Sequence, residues 1–358
     1  MNLLILEPYY GGSHQAFLTG LVEQLGWEWD LLELPARGWK WRMRLAAPCF
    51  AGMLAERAGQ GPDRILCSSF VDVATLRALL PDRLRQVEVC TYFHENQFVY
   101  PVQQEEERDL HFAVTNYTTA LASDRLAFNS RYNLESFLAG ADLLLKKAPD
   151  MPAAIWQGFS ERLRRQACIL PPGIDFRAIA AAPVAPRQPA PVIVWNHRWE
   201  HDKNPELFFQ TLFDLDRDGV DFRLIVLGQS FAQQPAVFAE ARERLAARLL
   251  YFGYAPSREE YARLLKMGDL VVSTARHEFF GIAVVEAVRA GCRPLLPARL
   301  AYPELFPNEY LYGDDQEFAA ALTAYLQQRP PFSPELGRQL TDRFSWNVLA
   351  ASYREWLA

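Results

Sequence analysis

No apolar run in the sequence approaches the roughly 18 residues that cross a bilayer. The N-terminal Met1-Asn-Leu-Leu-Ile-Leu6 meets Glu7-Pro8 too early for a secretory leader and reads as a first strand. Cys-x-x-Cys spacing is also missing. The five cysteines, Cys49, Cys67, Cys90, Cys168 and Cys292, are odd in number and lie mostly in apolar runs, so they read as reduced core thiols of a cytoplasmic protein. There is no surplus of positive charge: the formal net charge is −6, which does not announce a nucleic-acid binder. No Gly-x-Gly-x-x-Gly follows the first strand, which argues against a nicotinamide enzyme. The acidic run Asp214-Leu-Asp216-Arg-Asp218-Gly219 imitates a cation loop, but its twelfth position is Ile225 where calcium needs an acid, and it lies in a polar helix-to-strand connection. No metal or cofactor is expected.

What is present suits two α/β domains. The chain has 358 residues, half of them hydrophobic, enough for two cores. In the first half, strands are expected at Leu3–Leu6, Trp29–Leu32, Ile65–Ser68, Val87–Tyr92 and Arg125–Phe128, with helices such as Gln15–Leu25 and Thr75–Leu80 between them. A proline-rich stretch from Pro171 to Pro191 suits a linker, with the break placed at 185–186. The second half continues with strands at Val192–Trp195, Phe222–Leu227, Leu249–Phe252 and Asp269–Ser273, and with a helix capped by Ser257. An amphipathic helix, 346–358, is expected to pack back towards the first domain, leaving 1–185 and 186–345 as the two domains.

Chemistry belongs at the carboxyl ends of such strands. The richest segment is Ser273 to Pro297, where Glu278 and Glu286 bracket seven residues at a strand-to-helix junction. Phe279-Phe280-Gly281-Ile282 starts a helix whose free N–H groups attract phosphate, and Gly281 lets that phosphate approach the backbone. One carboxylate can then reach sugar hydroxyls and the other ribose hydroxyls. After the strand at Val192–Trp195 come Asn196 and two cations, Arg198 and Lys203, suited to a departing diphosphate. After the first strand comes Gly11-Gly12-Ser13-His14, where Ser13 could cap a helix. After Val87–Tyr92 come His94, Glu95, Asn96 and Gln97; a histidine there is either structural or lines a reacting sugar.

The Glu278–Glu286 segment, together with Arg198 and Lys203, resembles the retaining glycosyltransferases of family 4. The resemblance implies a GT-B fold, two Rossmann-like domains with parallel sheets facing a central cleft. It further implies that Glu278 contacts the donor sugar, that the backbone of Phe280, Gly281 and Ile282 holds the distal phosphate, and that Glu286 binds ribose. Arg198 and Lys203 would neutralise the diphosphate, Tyr254 would lie against the base, Gly12 and Asn196 would line the donor, and His94 the sugar.

One further element bears on the acceptor. Arg37-Gly-Trp39-Lys40-Trp41-Arg42-Met-Arg44 interleaves four cations with two tryptophans. It suits phosphates with stacked bases, anionic lipid headgroups, or a helix whose tryptophans pack on the core. With EPYYGGSHQAFL and YFHENQFVYP, this patch is similar to the N-terminal domain of one branch of family 4, the tRNA-queuosine mannosyltransferases. That resemblance implies GDP-mannose as co-substrate and queuosine-containing tRNA as partner, with Ser13, His14, Asn96 and the 37–44 patch on the acceptor side. A lipid or saccharide acceptor, a nucleotide-sugar epimerase and a non-catalytic tRNA-binding protein are the alternatives.

Overall fold

A computed structural model describes the chain except for Gln60, 102–108, 148–157, Ala185, Arg187 and 232–233. Two compact units result: Met1–Gly173 with Trp346–Ala358, and Ile174–Ser345. The break expected at 185–186 falls on Ala185, outside the described residues.

In the first unit, β1 (Asn2–Tyr10), β2 (Glu28–Pro35), β3 (Arg64–Ser68), β4 (Glu88–Phe93), β5 (Arg125–Phe128) and β6 (Ala167–Ile169) form a sheet ordered β2-β1-β3-β4-β5-β6. Every pairing is parallel. Because side chains alternate along a strand, Leu3 and Ile5 enter one core with Phe17 and Trp346, while Leu4 and Leu6 enter another with Phe50 and Ile65. Burial on both faces is why β1 reads as a continuous apolar run. The direction of winding reverses between β1 and β3, and at such a switch point the loops diverge to leave a crevice.

The second unit repeats the plan. Strands β7 (Val192–Asn196), β8 (Arg223–Leu227), β9 (Leu249–Gly253), β10 (Leu270–Val272), β11 (Arg293–Pro297) and β12 (Leu311–Tyr312) are ordered β12-β11-β10-β7-β8-β9, all parallel. Its switch point lies between β7 and β10. Three strands are additions to the sequence reading: β6 and β12 span only three and two residues, and β11 carries Pro294 and Pro297, which count against a strand.

Other expectations need correction. The first helix is Gly12–Leu25, so Ser13 sits in its first turn and caps nothing; Gly11 holds the cap position without a side-chain bond. All five cysteines are free thiols, but Cys49 lies on the exposed side of the helix Trp39–Ala55, because the helical repeat turns it away from the buried Ala46, Ala47 and Phe50. Among the described residues, no helix is long and apolar enough to cross a membrane.

The helix Trp346–Leu357 belongs to the first unit, and Trp346 is its anchor. Its indole fills a slot that only glycine permits: a Cβ on Gly20 would stand 1.9 Å from Nε1, and one on Gly173 would stand 2.2 Å from the ring. Further along, the Tyr353 hydroxyl donates to the Pro171 carbonyl at 2.9 Å. Gly20→Ala therefore overpacks the slot and should cost about 1–3 kcal/mol in denaturant unfolding. An unchanged unfolding midpoint would show that Trp346 is not wedged there.

Candidate active site

The loops leaving β7 and β10 meet at the second unit's switch point, and buried polar groups bind them together. Thr274 Oγ1 donates to the carbonyls of Lys203 (2.9 Å) and Asn204 (3.0 Å), and Arg276 N donates to the Asp202 carbonyl (2.8 Å). Lys203, itself buried, closes the arrangement. Its Nζ donates to the His277 carbonyl at 2.7 Å and lies 3.0 Å from Asp202 Oδ2 and 3.2 Å from Glu278 Oε2. Burial opposes its charge, but the Glu278 and Asp202 carboxylates outweigh that and hold the ammonium above its ordinary value. Glu278 moves the other way: burial would raise it, and Lys203 holds it below the usual carboxylate range. Both partners stay charged in a place that only their pairing makes tolerable.

Beside this pair begins the helix Ile282–Ala290. Gly281 precedes it at φ 102°, no side chain caps it, and its first N–H groups point out unpaired by any cap. A Cβ at Gly281 would press on Tyr302 Cε1 at 3.1 Å, so the position demands glycine on both conformation and space. Phe280 N donates to Glu278 Oε1 at 3.4 Å, tying the glutamate to the helix start. Arg198 is half exposed and lies 3.1 Å from Glu200. One helical turn on from the N-terminus, Glu286 is buried and accepts from Arg258 Nη2 (2.7 Å) and the Tyr261 hydroxyl (3.0 Å). Asn196 is also buried, its Nδ2 donating to the Tyr261 hydroxyl (3.1 Å) and the Ala283 carbonyl (2.7 Å). Tyr254 stands exposed after β9, its carbonyl accepting from the Tyr251 hydroxyl at 2.9 Å.

The first unit's switch point is polar too. Glu7, in the second half of β1, accepts from Ser68 Oγ (3.3 Å) and from Tyr9 N of the same strand (2.8 Å). His14 Nδ1 lies 3.2 Å from Glu7 Oε2, and Nε2 lies 3.5 Å from Glu95 Oε2. Burial alone would strip the proton from His14, yet these carboxylates raise it to about 10. His94 stacks on that ring with centroids 4.1 Å apart, and burial, then the neighbouring His14 charge, push it well below its ordinary value. Glu7, His14 and His94 bring one ligand atom each within 4.8 Å of the others, so they could hold a metal, although both His14 nitrogens already face carboxylates.

Several expected acceptor residues face elsewhere. Asn96 is buried: its Nδ2 donates to Asn133 Oδ1 (2.9 Å) and Ser136 Oγ (3.0 Å), and its Oδ1 accepts from Phe98 N (3.1 Å), so it shapes its own loop. The basic patch divides. Trp39 packs on Phe112 and Tyr100, with centroids 5.2 and 5.4 Å away; Arg44 pairs with Asp109 at 2.8 Å; and Arg42 Nε donates to the Pro35 carbonyl at 3.1 Å. Arg37, Lys40 and Trp41 stay exposed. Gly12 and Ser13 are exposed at the start of the first helix. In the acidic run set aside above, Asp214 lies 3.0 Å and Asp218 3.2 Å from Arg217, and Asp216 lies 2.8 Å from Arg248.

Sequence reading did not single out Glu7, Asp202, Arg258, Tyr261 or Thr274. Glu7 carried a usable signal, a carboxylate closing an apolar strand; the others become visible only once β7 and β10 are neighbours.

Similarity to known proteins agrees with this geometry. Sucrose-phosphate synthase from Thermosynechococcus elongatus superimposes with a TM-score of 0.72 at 16% identity, covering 99% of this chain and 98% of that one. The fold is that of the GT-B glycosyltransferases. Residues 2–174 match the family described as tRNA-queuosine alpha-mannosyltransferase N-terminal, and residues 178–339 match Glycosyl transferases group 1. A tRNA-queuosine alpha-mannosyltransferase of Drosophila melanogaster is 34% identical over 356 residues, covering 97% of this chain and 91% of that protein. A GDP-mannose:cellobiosyl-diphosphopolyprenol alpha-mannosyltransferase of Xanthomonas campestris is 30% identical over 126 residues, 35% of this chain and 32% of that protein. The chain belongs to the tRNA-queuosine alpha-mannosyltransferase family, within glycosyltransferase family 4, and is a glycosyltransferase.

The histidines set a pH optimum for stability. Burial first, then Lys203, lowers His197 and His277 to about 4, and His94 is lowered likewise, so below the ordinary 6.5 the unfolded chain binds more protons and stability falls with pH. For His14 the sign is opposite: its contribution is full below 6.5 and is lost as pH rises towards about 10. Melting temperature should therefore peak near pH 6.5, with each depressed histidine worth about 1.4 kcal/mol per unit on the acid side. His14→Gln should flatten the alkaline limb and His197→Asn the acid limb; unaltered limbs would refute the assignment.

Proposed function

We propose that this chain transfers mannose from GDP-mannose to the cyclopentene-diol of queuosine in tRNA, with retention at the anomeric carbon. The observation that supports the donor half lies in the second unit: buried Lys203 fixed against Glu278, beside a helix start at Gly281 that no side chain caps, an arrangement suited to a diphosphate. The acceptor half is supported by the relative that matches 97% of the chain. Mannose is inferred from the same relative's name, and guanosine from the family resemblance together with the GDP-mannose-using relative that matches 35% of the chain.

In this mechanism Arg198, Lys203 and the Phe280–Ile282 amides stabilise the charge that grows on the diphosphate as the bond from the anomeric carbon to the phosphate oxygen breaks. The acceptor hydroxyl attacks the same face, a donor phosphate oxygen takes its proton, and the products are a glycoside and a protonated diphosphate. No enzymic nucleophile is needed. Glu278 holds sugar hydroxyls, Glu286 holds the ribose and Tyr254 covers the base. The exposed Arg37, Lys40 and Trp41 are assigned to the tRNA, two to phosphate and one to stacking. The free thiols suit a reducing compartment such as the cytoplasm.

Incubation with a panel of nucleotide sugars and with tRNA containing or lacking queuosine, read by nucleoside mass spectrometry, tests this. One hexose should be added to queuosine, from GDP-mannose, with EDTA present. The combined substitution Arg37→Ala, Lys40→Ala and Trp41→Ala should weaken tRNA binding and flatten its salt dependence while donor binding persists. Transfer only to a lipid or saccharide acceptor, or a strict requirement for a divalent ion, would overturn the reading.

A further inference from the structure

Glu286 is held more tightly than ribose binding by a single glutamate would require. Each carboxylate oxygen offers two lone-pair directions. Arg258 takes one on Oε1 at 2.7 Å, and the Tyr261 hydroxyl takes one on Oε2 at 3.0 Å. The tyrosine is fixed in turn by Asn196 Nδ2 at 3.1 Å, and that amide is fixed by the Ala283 carbonyl at 2.7 Å. The carboxylate plane is thus locked to the end of β7 and to the first turn of its own helix. With one such bond on each oxygen, each keeps a second acceptor direction. Two donors on adjacent carbons satisfy both; a single hydroxyl leaves one buried acceptor unmet, and an unmet buried acceptor is costly.

We propose that Tyr261 and Arg258 are positioning residues that make Glu286 a reader of vicinal diols, so that the site takes ribonucleotides and discriminates against their deoxy counterparts. This rests on the assignment of Glu286 to the ribose. Tyr261 anchors the carboxylate from the buried side, while Arg258, half exposed, closes the other edge and stacks on the Tyr261 ring with 5.4 Å to the centroid.

Calorimetric titration of the full chain with GDP, 2′-deoxy-GDP and inorganic pyrophosphate tests it. The unmodified protein should prefer GDP over 2′-deoxy-GDP by on the order of tenfold or more, as expected for a hydrogen bond to a charged group. Tyr261→Phe and, separately, Arg258→Gln should weaken GDP binding until this preference largely disappears, with pyrophosphate affinity unchanged. A lesion that merely loosened the fold would weaken all three ligands together. If both variants keep the full preference, the inference fails. Glu286→Gln separates the two levels: if it too leaves the preference intact, the ribose assignment falls; if it abolishes the preference while Tyr261→Phe and Arg258→Gln do not, only the positioning roles fall.

Discussion

Buried Lys203 has its Nζ within 3.2 Å of both Asp202 and Glu278, and the switch point of the second unit is organised around that atom. An unpaired ammonium could not remain there, and neither could an unpaired Glu278, since stranding one member of a buried pair typically costs about 3–5 kcal/mol. The pair therefore fixes the loop after β7 against the loop after β10. With those loops set, Gly281 and the helix start take their place, and Glu278 is held where it is charged but not spent: Oε1 accepts only the long 3.4 Å bond from Phe280 N. The arrangement proposed to receive a leaving diphosphate is thus held by the protein's own contacts, in keeping with the preorganisation that electrostatic catalysis requires.

The same logic operates in the first unit with other residues. Both sheets reverse their winding once, between β1 and β3 and between β7 and β10, and each reversal gathers buried charge: Glu7, His14 and Glu95 in one, Asp202, Lys203 and Glu278 in the other. In each, a cation lies between two carboxylates and a histidine is kept neutral next to it, His94 in the first and His197 and His277 in the second. Buried networks of this kind tie together the loops that contribute to them.

Much of this was legible in the sequence. The apolar runs of β1, β3, β4, β5, β7, β8 and β10 declare themselves because a parallel strand is buried on both faces. Gly281, Glu278, Glu286, Arg198 and Lys203 stand out in the sequence because strand ends and helix starts are where anions bind, and the resemblance orders them into proposed roles. The rest depended on contacts between distant segments. Nothing near Tyr261 foretells that its hydroxyl meets Glu286, 25 positions on. Asn96 read as a binding group because it ends a buried strand, whereas its amide is consumed by Asn133 and Ser136. Trp39 and Trp41 are two residues apart, and the helical repeat alone decides that one packs inward and the other faces solvent.

The central claim is that a mutually dependent Lys203–Glu278 pair assembles the donor site. A double-mutant cycle with Lys203→Met, Glu278→Gln and the combined variant, read by denaturant unfolding without ligand, measures that dependence directly. The account predicts that each single substitution is strongly destabilising and that the double variant is no worse than Lys203→Met alone, since Asp202 loses its cation in both but the Glu278 charge is stranded only in the single variant. Additive losses, with no coupling between the two positions, would contradict it.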